Sequence, residues 1–366
     1  AAVSLVSIYA ISLGTFIIVE GKRYYYPLLG FHNHAPEKLS LFSVRLSQSI
    51  SRTIYERSKW SFNKELIKSA WHYIRKDVVP ANNYLYSRSE TDGIPGGYIE
   101  YYSNNQLIGA NGKGEMFILS INKEEINIKS LKSNLHEIFL SQDFKGKILP
   151  DLQGRFSIRD ILLDRESNRI LASMYVDINN EGCYGMGIYE SFLEPSLAID
   201  KQENLDFKLY FKTKNCNSNF NGHAGGGRMK ILNQNVIFTV GSFDVIKQPG
   251  ANLAELDLSD IGKVYSIDRE GKATTLSSGH RNQQGLVIVD NQIFITEHGP
   301  QGGDEINLIE PGGHYGWPYY AYGFEYSNKA VYRTKHEGKY KKPLFYFTPS
   351  IATSEIIFYD KDEFPY

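Results

Sequence analysis

The chain has 366 residues, of which 42% are hydrophobic and 22% charged, and its formal net charge is −1. This composition excludes an intrinsically disordered chain, and the length allows one large core or two smaller domains. A near-zero charge without a long basic block leaves no electrostatic footprint for nucleic acid, which we therefore exclude as a partner. The 26 Tyr, 20 Phe and 32 Gly residues favour a strand-rich protein with many tight turns.

The first 19 residues contain no charged side chain. As an α-helix, which rises about 1.5 Å per residue, they would span roughly 28 Å, close to the thickness of a bilayer's hydrocarbon core. A cleaved signal peptide and a buried helix are the alternatives. No small-residue cleavage site follows, because the next residues are Glu20, Gly21, Lys22 and Arg23. We therefore predict a transmembrane or signal-anchor helix over residues 1–19, through which the protein attaches to a membrane.

Residues 20–85 are predicted to form a helical juxtamembrane linker. Between about residues 39 and 76, apolar side chains recur at helical spacing, with Lys and Arg between them. These apolar positions are Leu46, Ile50, Ile54, Phe62, Leu66, Ala70 and Ile74. Such a helix either lies on anionic lipid headgroups or packs on the folded domain. Lys22 and Arg23 would by the positive-inside rule place this segment in the cytoplasm, so its orientation stays open.

Residues 86–366 consist of short apolar or alternating runs separated by Gly, Asn and Asp, a pattern typical of many short strands. A unit of strand, polar turn and strand recurs, and its second strands are predicted at Phe117, Leu171, Ile237 and Phe294, which are 54 to 66 residues apart. A period of that length predicts the blades of an all-β propeller, with a β-sandwich as the alternative. Four units before Tyr366 predict a propeller whose last blade is truncated.

Cys183 and Cys216 are the only two cysteines. Their spacing is too long for a zinc or redox pair. They are therefore either two inert thiols or one disulfide in an oxidising compartment.

Three loops next to the repeated strands carry candidate functional residues, since propellers bind ligands at the loops around their channel. His223 lies in a Gly-rich loop and could accept a proton near neutral pH or simply cap a turn. Arg281 and Asn282 offer donors suited to carboxylate or quinone oxygens. The turn from Gly299 to Glu305 combines carbonyl and carboxylate oxygens, which Ca²⁺ prefers, although acids that only solvate a loop look the same.

Three segments resemble, in this order and at this spacing, the soluble quinoprotein sugar dehydrogenases of the glucose/sorbosone dehydrogenase family. They are HRNQQG at 280–285, TEHGPQGGDEINLI at 296–309 and GGHYGWP at 312–318. The resemblance extends over about residues 93–366 and is dense from His223 onward. It implies a six-bladed propeller that oxidises the anomeric hydroxyl of a sugar and passes the hydride to bound pyrroloquinoline quinone (PQQ).

The resemblance also implies a role for individual residues. His223 would be the base that takes the hydroxyl proton. The remaining positions are Arg281, Asn282 and Ser350 at the cofactor, the carbonyls of Gly299 and Pro300 at the Ca²⁺ that polarises the quinone, and Glu305 and Tyr315 at a second calcium region. Gly222 stands where glucose-oxidising members carry an acid that contacts the sugar, so the resemblance does not name the sugar.

Together these patterns predict a membrane-anchored PQQ-dependent aldose dehydrogenase whose propeller lies on the exported, periplasmic side and whose electrons leave to a separate acceptor. A calcium-dependent lactonase and a non-catalytic propeller that binds glycans or a partner protein are the alternatives.

Overall fold

The computed structural model describes residues 97–103, 105–121, 126–142, 157–180, 182–202, 204–214, 222–243, 259–300, 302–323, 338–347 and 350–358. The membrane helix predicted at 1–19 and the linker predicted at 20–85 lie outside these residues. Within the described ranges, the structure contains no helix with the length and apolar character needed to cross a bilayer.

The described residues form four sheets. The first two contain β1 (Gly97–Ser103), β2 (Gln106–Asn111), β3 (Met116–Ile121) and β4 (Ile126–Leu131), then β5 (Ile158–Asp164), β6 (Arg169–Asp177), β7 (Tyr184–Phe192) and β8 (Lys208–Lys212). The last two contain β9 (Gly226–Leu232), β10 (Asn235–Val240), β11 (Lys263–Ile267) and β12 (Ala273–Ser278), then β13 (Gln283–Val289), β14 (Gln292–Glu297), β15 (Asp304–Leu308) and β17 (Phe345–Phe347). One short helix, α1 (Leu135–Ser141), follows the first sheet, and β16 (Gly313–His314) pairs in parallel with β12.

Each sheet contains four antiparallel strands whose neighbours are joined in chain order, which is the construction of a propeller blade, and in the third sheet β16 adds a fifth, parallel strand beside β12. The first strands of successive blades also lie beside one another: β1 contacts β5, β5 contacts β9, and β9 contacts β13. These four strands therefore line the central channel. The predicted β-propeller is confirmed, with four blades in the described part of the chain, and the six-bladed count stays a prediction.

Apolar side chains fill the spaces between blades. Successive residues of a strand point to opposite faces of the sheet, so each middle strand contributes to two cores. Ile170 packs in the core between the first and second blades, whereas Leu171 packs in the core between the second and third. Phe238 and Ile237 divide in the same way between the two faces of the third blade. Each such burial contributes roughly 1.5–3 kcal/mol, which holds the blades face to face.

The sequence pattern identified the second strand of each blade correctly in three blades and wrongly in the first. Leu171, Ile237 and Phe294 lie on the second strands β6, β10 and β14, but Phe117 lies on β3, the third strand. The turn that precedes Phe117 joins β2 to β3, and Asn111 Oδ1 closes it by accepting the backbone N–H groups of Lys113 and Glu115 at 3.0 Å each. It is short and polar like the turns after the first strands, which is why sequence alone assigned it to the wrong hairpin.

Cys183 is disulfide-bonded, so of the two states that the sequence left open the structure has the disulfide. Cys216, the only other cysteine in the sequence, lies outside the described residues.

Candidate active site at one end of the channel

The loops that carry the predicted residues meet where the inner strands begin. The loop before β9 and the loop before β13 are both bonded to the segment that follows β10: Gly241 N donates to Gly225 O at 2.9 Å, and Ser242 N donates to Arg281 O at 2.8 Å. The loop after β14 joins them, because His298 N donates to Asn282 O at 2.9 Å. Residues far apart in sequence thus share one end of the channel.

His223 lies in a single 3₁₀ turn, Gly222–Ala224, and its side chain lies outside the described part of the chain. Two contacts fix the turn: Tyr175 Oη donates to Gly222 O at 2.6 Å, and Phe243 N donates to Ala224 O at 2.8 Å. A backbone held from both sides keeps the position of His223 constant.

The glycines after this turn make room for the protein's own side chains. A Cβ on Gly225 would lie 2.2 Å from Tyr175 Oη, and a Cβ on Gly227 would lie 2.4 Å from Arg159 Cβ. Gly227 also has a φ of +101°, which side-chain-bearing residues rarely adopt. The Gly-rich sequence therefore reflects close packing on Tyr175 and Arg159.

Arg281 and Asn282 are both buried and hydrogen-bonded. The Arg281 guanidinium donates through Nη1 to the carbonyls of His298 at 3.1 Å and Gly299 at 2.8 Å, and it lies 5.2 Å from the centre of the Trp317 ring. Asn282 Oδ1 accepts from Gln284 Nε2 at 2.6 Å. Arg281 thus connects the loop before β13 to the loop after β14.

A buried polar network lies behind Arg281. His280 is fully buried, and its Nδ1 lies 2.9 Å from Glu297 Oε1 while its Nε2 lies 2.8 Å from Ser277 Oγ. The other oxygen of Glu297 accepts the Arg281 backbone N–H at 2.8 Å. Asn307 Nδ2 donates to the same glutamate at 2.7 Å. Because Glu297 contacts both the His280 ring and the Arg281 backbone, it fixes the direction in which the Arg281 side chain leaves the backbone.

The four residues predicted to bind metal line one small pocket beside Arg281: Gly299, Pro300, Glu305 and Tyr315. Glu305 Oε2 accepts from Asn307 Nδ2 at 3.0 Å. Tyr315 stacks on His280 with ring centres 4.7 Å apart and donates to the Leu308 carbonyl, and burial raises the pKa of its hydroxyl to about 12. In the described ranges no three His, Cys, Asp or Glu side chains are arranged to hold a metal ion.

Ser350 contacts Asp304, a residue to which the sequence pattern assigned no individual role. Asp304 is fully buried, and its Oδ2 accepts from Ser350 Oγ at 2.5 Å and from the N–H groups of Ile351 and Ala352 at 3.0 and 2.7 Å. Its Oδ1 accepts from Gly299 N at 3.2 Å. Asp304 therefore ties the segment 350–352 to the turn that contains Gly299.

Sequence patterns assigned no role to three charged residues of the inner strands, Arg228, Arg159 and Asp160. Arg228 donates to Gln284 O at 2.6 Å and lies 4.0 Å from Asp160. Arg159 donates through Nε to Gly226 O at 3.0 Å and through Nη2 to Gln284 Oε1 at 3.4 Å. Charged side chains on a channel-facing strand were the available signal, but the repeat pattern alone does not identify which residues of a strand face the channel.

Burial raises the pKa of Asp160 to about 6, while the nearby Arg228 acts in the opposite direction. The folded protein therefore binds more protons than the unfolded chain between about pH 4 and 6, and the free energy of unfolding falls as the pH rises through this range. Relative to the unperturbed value of 3.8, the shift corresponds to about 3 kcal/mol. We expect Asp160→Asn to remove this slope and to be the more stable protein at pH 7. Urea unfolding of the wild type and of Asp160→Asn from pH 4 to 7 measures how the free energy of unfolding depends on pH. Equal slopes for the two proteins would contradict a raised pKa at Asp160.

Comparison with known proteins places these features in a family. Residues 158–366 match the family described as Glucose / Sorbosone dehydrogenase. The chain is 28% identical over 235 residues to the aldose sugar dehydrogenase YliI of Escherichia coli K12, a match that covers 59% of this chain and 62% of that protein. Over 63 residues it is 44% identical to quinoprotein glucose dehydrogenase B of Acinetobacter calcoaceticus, covering 16% and 13% of the two chains. The chain thus spans less than two thirds of the length of these relatives.

Solved structures agree in fold. A crystal structure of a glucose dehydrogenase superposes with a TM-score of 0.57 at 21% identity, covering 75% of this chain and 78% of that one. The soluble aldose sugar dehydrogenase of Escherichia coli, in its apo-form, superposes with a TM-score of 0.54 at 22% identity, covering 73% and 76%. At this level of identity the likeness establishes the propeller fold alone. Because the family match spans more than half of the sequence, the chain belongs to the glucose/sorbosone dehydrogenase family.

Proposed function

We propose that this protein is a sugar dehydrogenase that oxidises the anomeric hydroxyl of an aldose, with PQQ as redox cofactor and Ca²⁺ as its metal. One observation supports the proposal most directly. In a chain of this family, Arg281, Asn282 and the Gly299–Pro300 turn meet the loop of His223 at a single end of the channel.

The donors at this end fit the quinone. PQQ carries three carboxylates, and when bound it supplies an electrophilic carbonyl that accepts a hydride. The guanidinium groups of Arg281 and Arg159 and the amides of Asn282 and Gln284 lie in one connected set of contacts. Planar guanidinium groups are suited to carboxylates, and amide groups are suited to quinone oxygens. Arg281 and Asn282 would bind and orient the cofactor.

The carbonyl oxygens of Gly299 and Pro300 would hold the Ca²⁺, a hard cation that prefers oxygen ligands. The Gly299 carbonyl accepts the Arg281 guanidinium at 2.8 Å, so this oxygen already faces a positive charge. Two cations at one carbonyl repel each other. Binding of Ca²⁺ would therefore favour a turn of the Arg281 side chain away from this carbonyl and toward an anion, and a carboxylate of the cofactor is the anion that the proposal supplies.

His223 would act as the general base. Its imidazole would take the proton of the anomeric hydroxyl as the anomeric carbon gives up its hydride to the electrophilic carbonyl that the quinone supplies when bound. Imidazole is the side chain best suited to accept a proton near neutral pH. The turn that carries His223 is fixed by Tyr175 and Phe243, which keeps the base at a constant position relative to the Arg281 loop.

We also propose that the propeller lies on the exported side of a membrane, anchored through residues 1–19, and that the electrons pass to a separate acceptor. The disulfide at Cys183 supports an oxidising compartment, and the uncharged stretch 1–19 supports the anchor. Membrane fractionation of the chain with and without residues 1–19 tests the anchor. A full chain recovered only in the soluble fraction would contradict it.

Reconstitution tests the activity. We expect the full-length protein, loaded with PQQ and Ca²⁺, to reduce an artificial dye in the presence of at least one aldose. Samples without quinone, and samples in which Ca²⁺ is chelated, should show no reduction. The proposal is wrong if no aldose of a broad panel supports dye reduction and the protein does not change the absorbance of added quinone. Lactone hydrolysis in the absence of quinone would favour a calcium-dependent lactonase.

A further inference from the structure

Arg159 lies between the two parts of the proposed site. It is the second residue of β5, a strand that lines the channel beside β9. Its Nε donates to Gly226 O, just after the turn that holds His223, at 3.0 Å. Its Nη2 lies 3.4 Å from Gln284 Oε1, and Gln284 in turn donates to Asn282. One guanidinium thus contacts both the loop that carries His223, the proposed base, and the strand β13, whose Gln284 is bonded to Asn282, a residue proposed to bind the cofactor.

No carboxylate among the described residues lies within ion-pair distance of Arg159. Asp160 is adjacent in sequence, and its carboxylate accepts the Met229 N–H at 2.8 Å and lies 4.0 Å from Arg228 Nη1. Two protein oxygens accept from Arg159, whereas a guanidinium carries five N–H donors. The side chain is also partly exposed, so the remaining donors can reach a ligand.

Arg228 adds positive charge to the same wall. Its Nη1 lies 3.4 Å from the Arg159 carbonyl, and its Nε donates to the Gln284 carbonyl at 2.6 Å. The carboxylates of Asp160 and Glu355 lie 4.0 and 3.8 Å from Arg228 Nη1. Two guanidinium groups therefore flank Gln284, and the acids present are directed at Arg228. Arg159 is therefore the guanidinium of this wall that has no acid within ion-pair distance among the described residues, and it is the one available to an anionic ligand.

We propose that Arg159, supported by the Gln284 amide, recognises a carboxylate of a ligand bound at the proposed active site. The inference rests on the proposed function and extends it to ligand recognition. The planar fork of a guanidinium matches the two oxygens of a carboxylate. Two ligands of that site can bring one: a sugar acid such as a uronic acid, or the quinone itself.

Arg159→Gln in the full-length protein separates the two sources. Quinone binding is followed by absorbance titration with Ca²⁺ present, and kcat/KM is compared for glucose and glucuronate. We expect a loss of about tenfold or more in one measurement, because a hydrogen bond to a charged group is removed. Weaker quinone binding assigns the carboxylate to the cofactor. A loss confined to glucuronate assigns it to the sugar. Values unchanged in both measurements would overturn the inference.

Matched variants keep the result interpretable. Arg165→Gln removes an exposed arginine that directly follows the opposite end of β5, where it donates to the carbonyls of Tyr101 and Tyr102, and should change neither measurement. Arg159→Lys keeps the charge without the planar fork, so we expect an intermediate loss, and it replaces Arg159→Gln as the test should the latter not fold. If the wild type oxidises no sugar, calorimetric titration with glucuronate and with quinone still applies. Equal binding of both ligands by wild type and variant then overturns the inference independently of the activity.

Discussion

Replacing His223 by Ala is expected to lower kcat of the quinone-loaded protein by about 10²–10⁴-fold, the usual contribution of a positioned general base. Quinone binding should stay close to that of the wild type, because the proposed cofactor contacts belong to the loops before β13 and after β14. The turn itself should also persist, since Tyr175 Oη donates to the backbone carbonyl of Gly222 and Phe243 N donates to that of Ala224. Dye-reduction kinetics measure the first effect, and absorbance titration of the quinone measures the second.

His136→Ala is the matched control, because it removes a histidine from α1, where His136 Nδ1 contacts the Lys113 carbonyl at 2.9 Å. We expect it to leave kcat unchanged. An unchanged kcat in His223→Ala would exclude His223 as the base. A loss of quinone binding in parallel with a lower melting temperature would instead assign His223 a structural role.

The fold was predictable from sequence because blades repeat a local pattern. Apolar runs joined by short polar turns identify hairpins wherever both strands are apolar, as at Leu171, Ile237 and Phe294. The first blade departs from this, because its second strand, β2, includes Gln106, Gly109 and Asn111 and does not stand out as apolar. The turn after it was therefore assigned to the wrong pair of strands, which shifted Phe117 by one strand.

The candidate site was predictable where its residues are close in sequence. The pocket residues of the fourth blade lie close together in sequence, between the loop before β13 and the connection from β15 to β17, and the structure brings them to one pocket: Arg281, Gly299, Pro300, Glu305 and Tyr315. The missed contacts join distant strands: Arg159 and Gln284 are separated by 125 positions, and Arg228 and Ser354 by 126. Such pairs depend on which inner strands become neighbours, and hairpin patterns do not specify that.

Asp304 is a second residue whose contacts with a distant segment could not be predicted from its sequence motif. In the sequence it is one of two adjacent acids in a Gly-rich turn, and a solvated carboxylate would look identical. In the structure it is fully buried and accepts four hydrogen bonds, three of them from the segment 350–352, more than 45 positions away. Its neighbour Glu305, on the opposite face of β15, lines the pocket beside Arg281 instead.

Asp304→Asn should lower the free energy of unfolding by about 3 kcal/mol, since hydrogen bonds to a charged group contribute roughly 1.5–3 kcal/mol each and the substitution weakens several. An amide has only one acceptor oxygen. If that oxygen keeps the three donors of Ser350, Ile351 and Ala352, the NH₂ group faces the Gly299 N–H, and two donors then oppose each other. The Gly299 turn is therefore released, and we expect the Ca²⁺ concentration needed for quinone binding to rise. Urea unfolding and Ca²⁺ titration of quinone binding measure the two effects.

Asp206→Asn provides the control for charge, because Asp206 is exposed and its ion pair with Lys208 spans 3.4 Å, so its loss should cost less than about 1 kcal/mol. Ser350→Ala removes one donor but keeps the carboxylate, and it separates the two consequences of Asp304→Asn. It should lower the free energy of unfolding by about 1 kcal/mol and, because Ser350 is predicted at the cofactor, it can weaken quinone binding at saturating Ca²⁺. The Ca²⁺ concentration at half-maximal quinone binding should stay unchanged, since the Gly299 N–H keeps its acceptor. A Ca²⁺ requirement that rises equally in both variants would show that the segment 350–352, rather than the Gly299 turn, controls the metal.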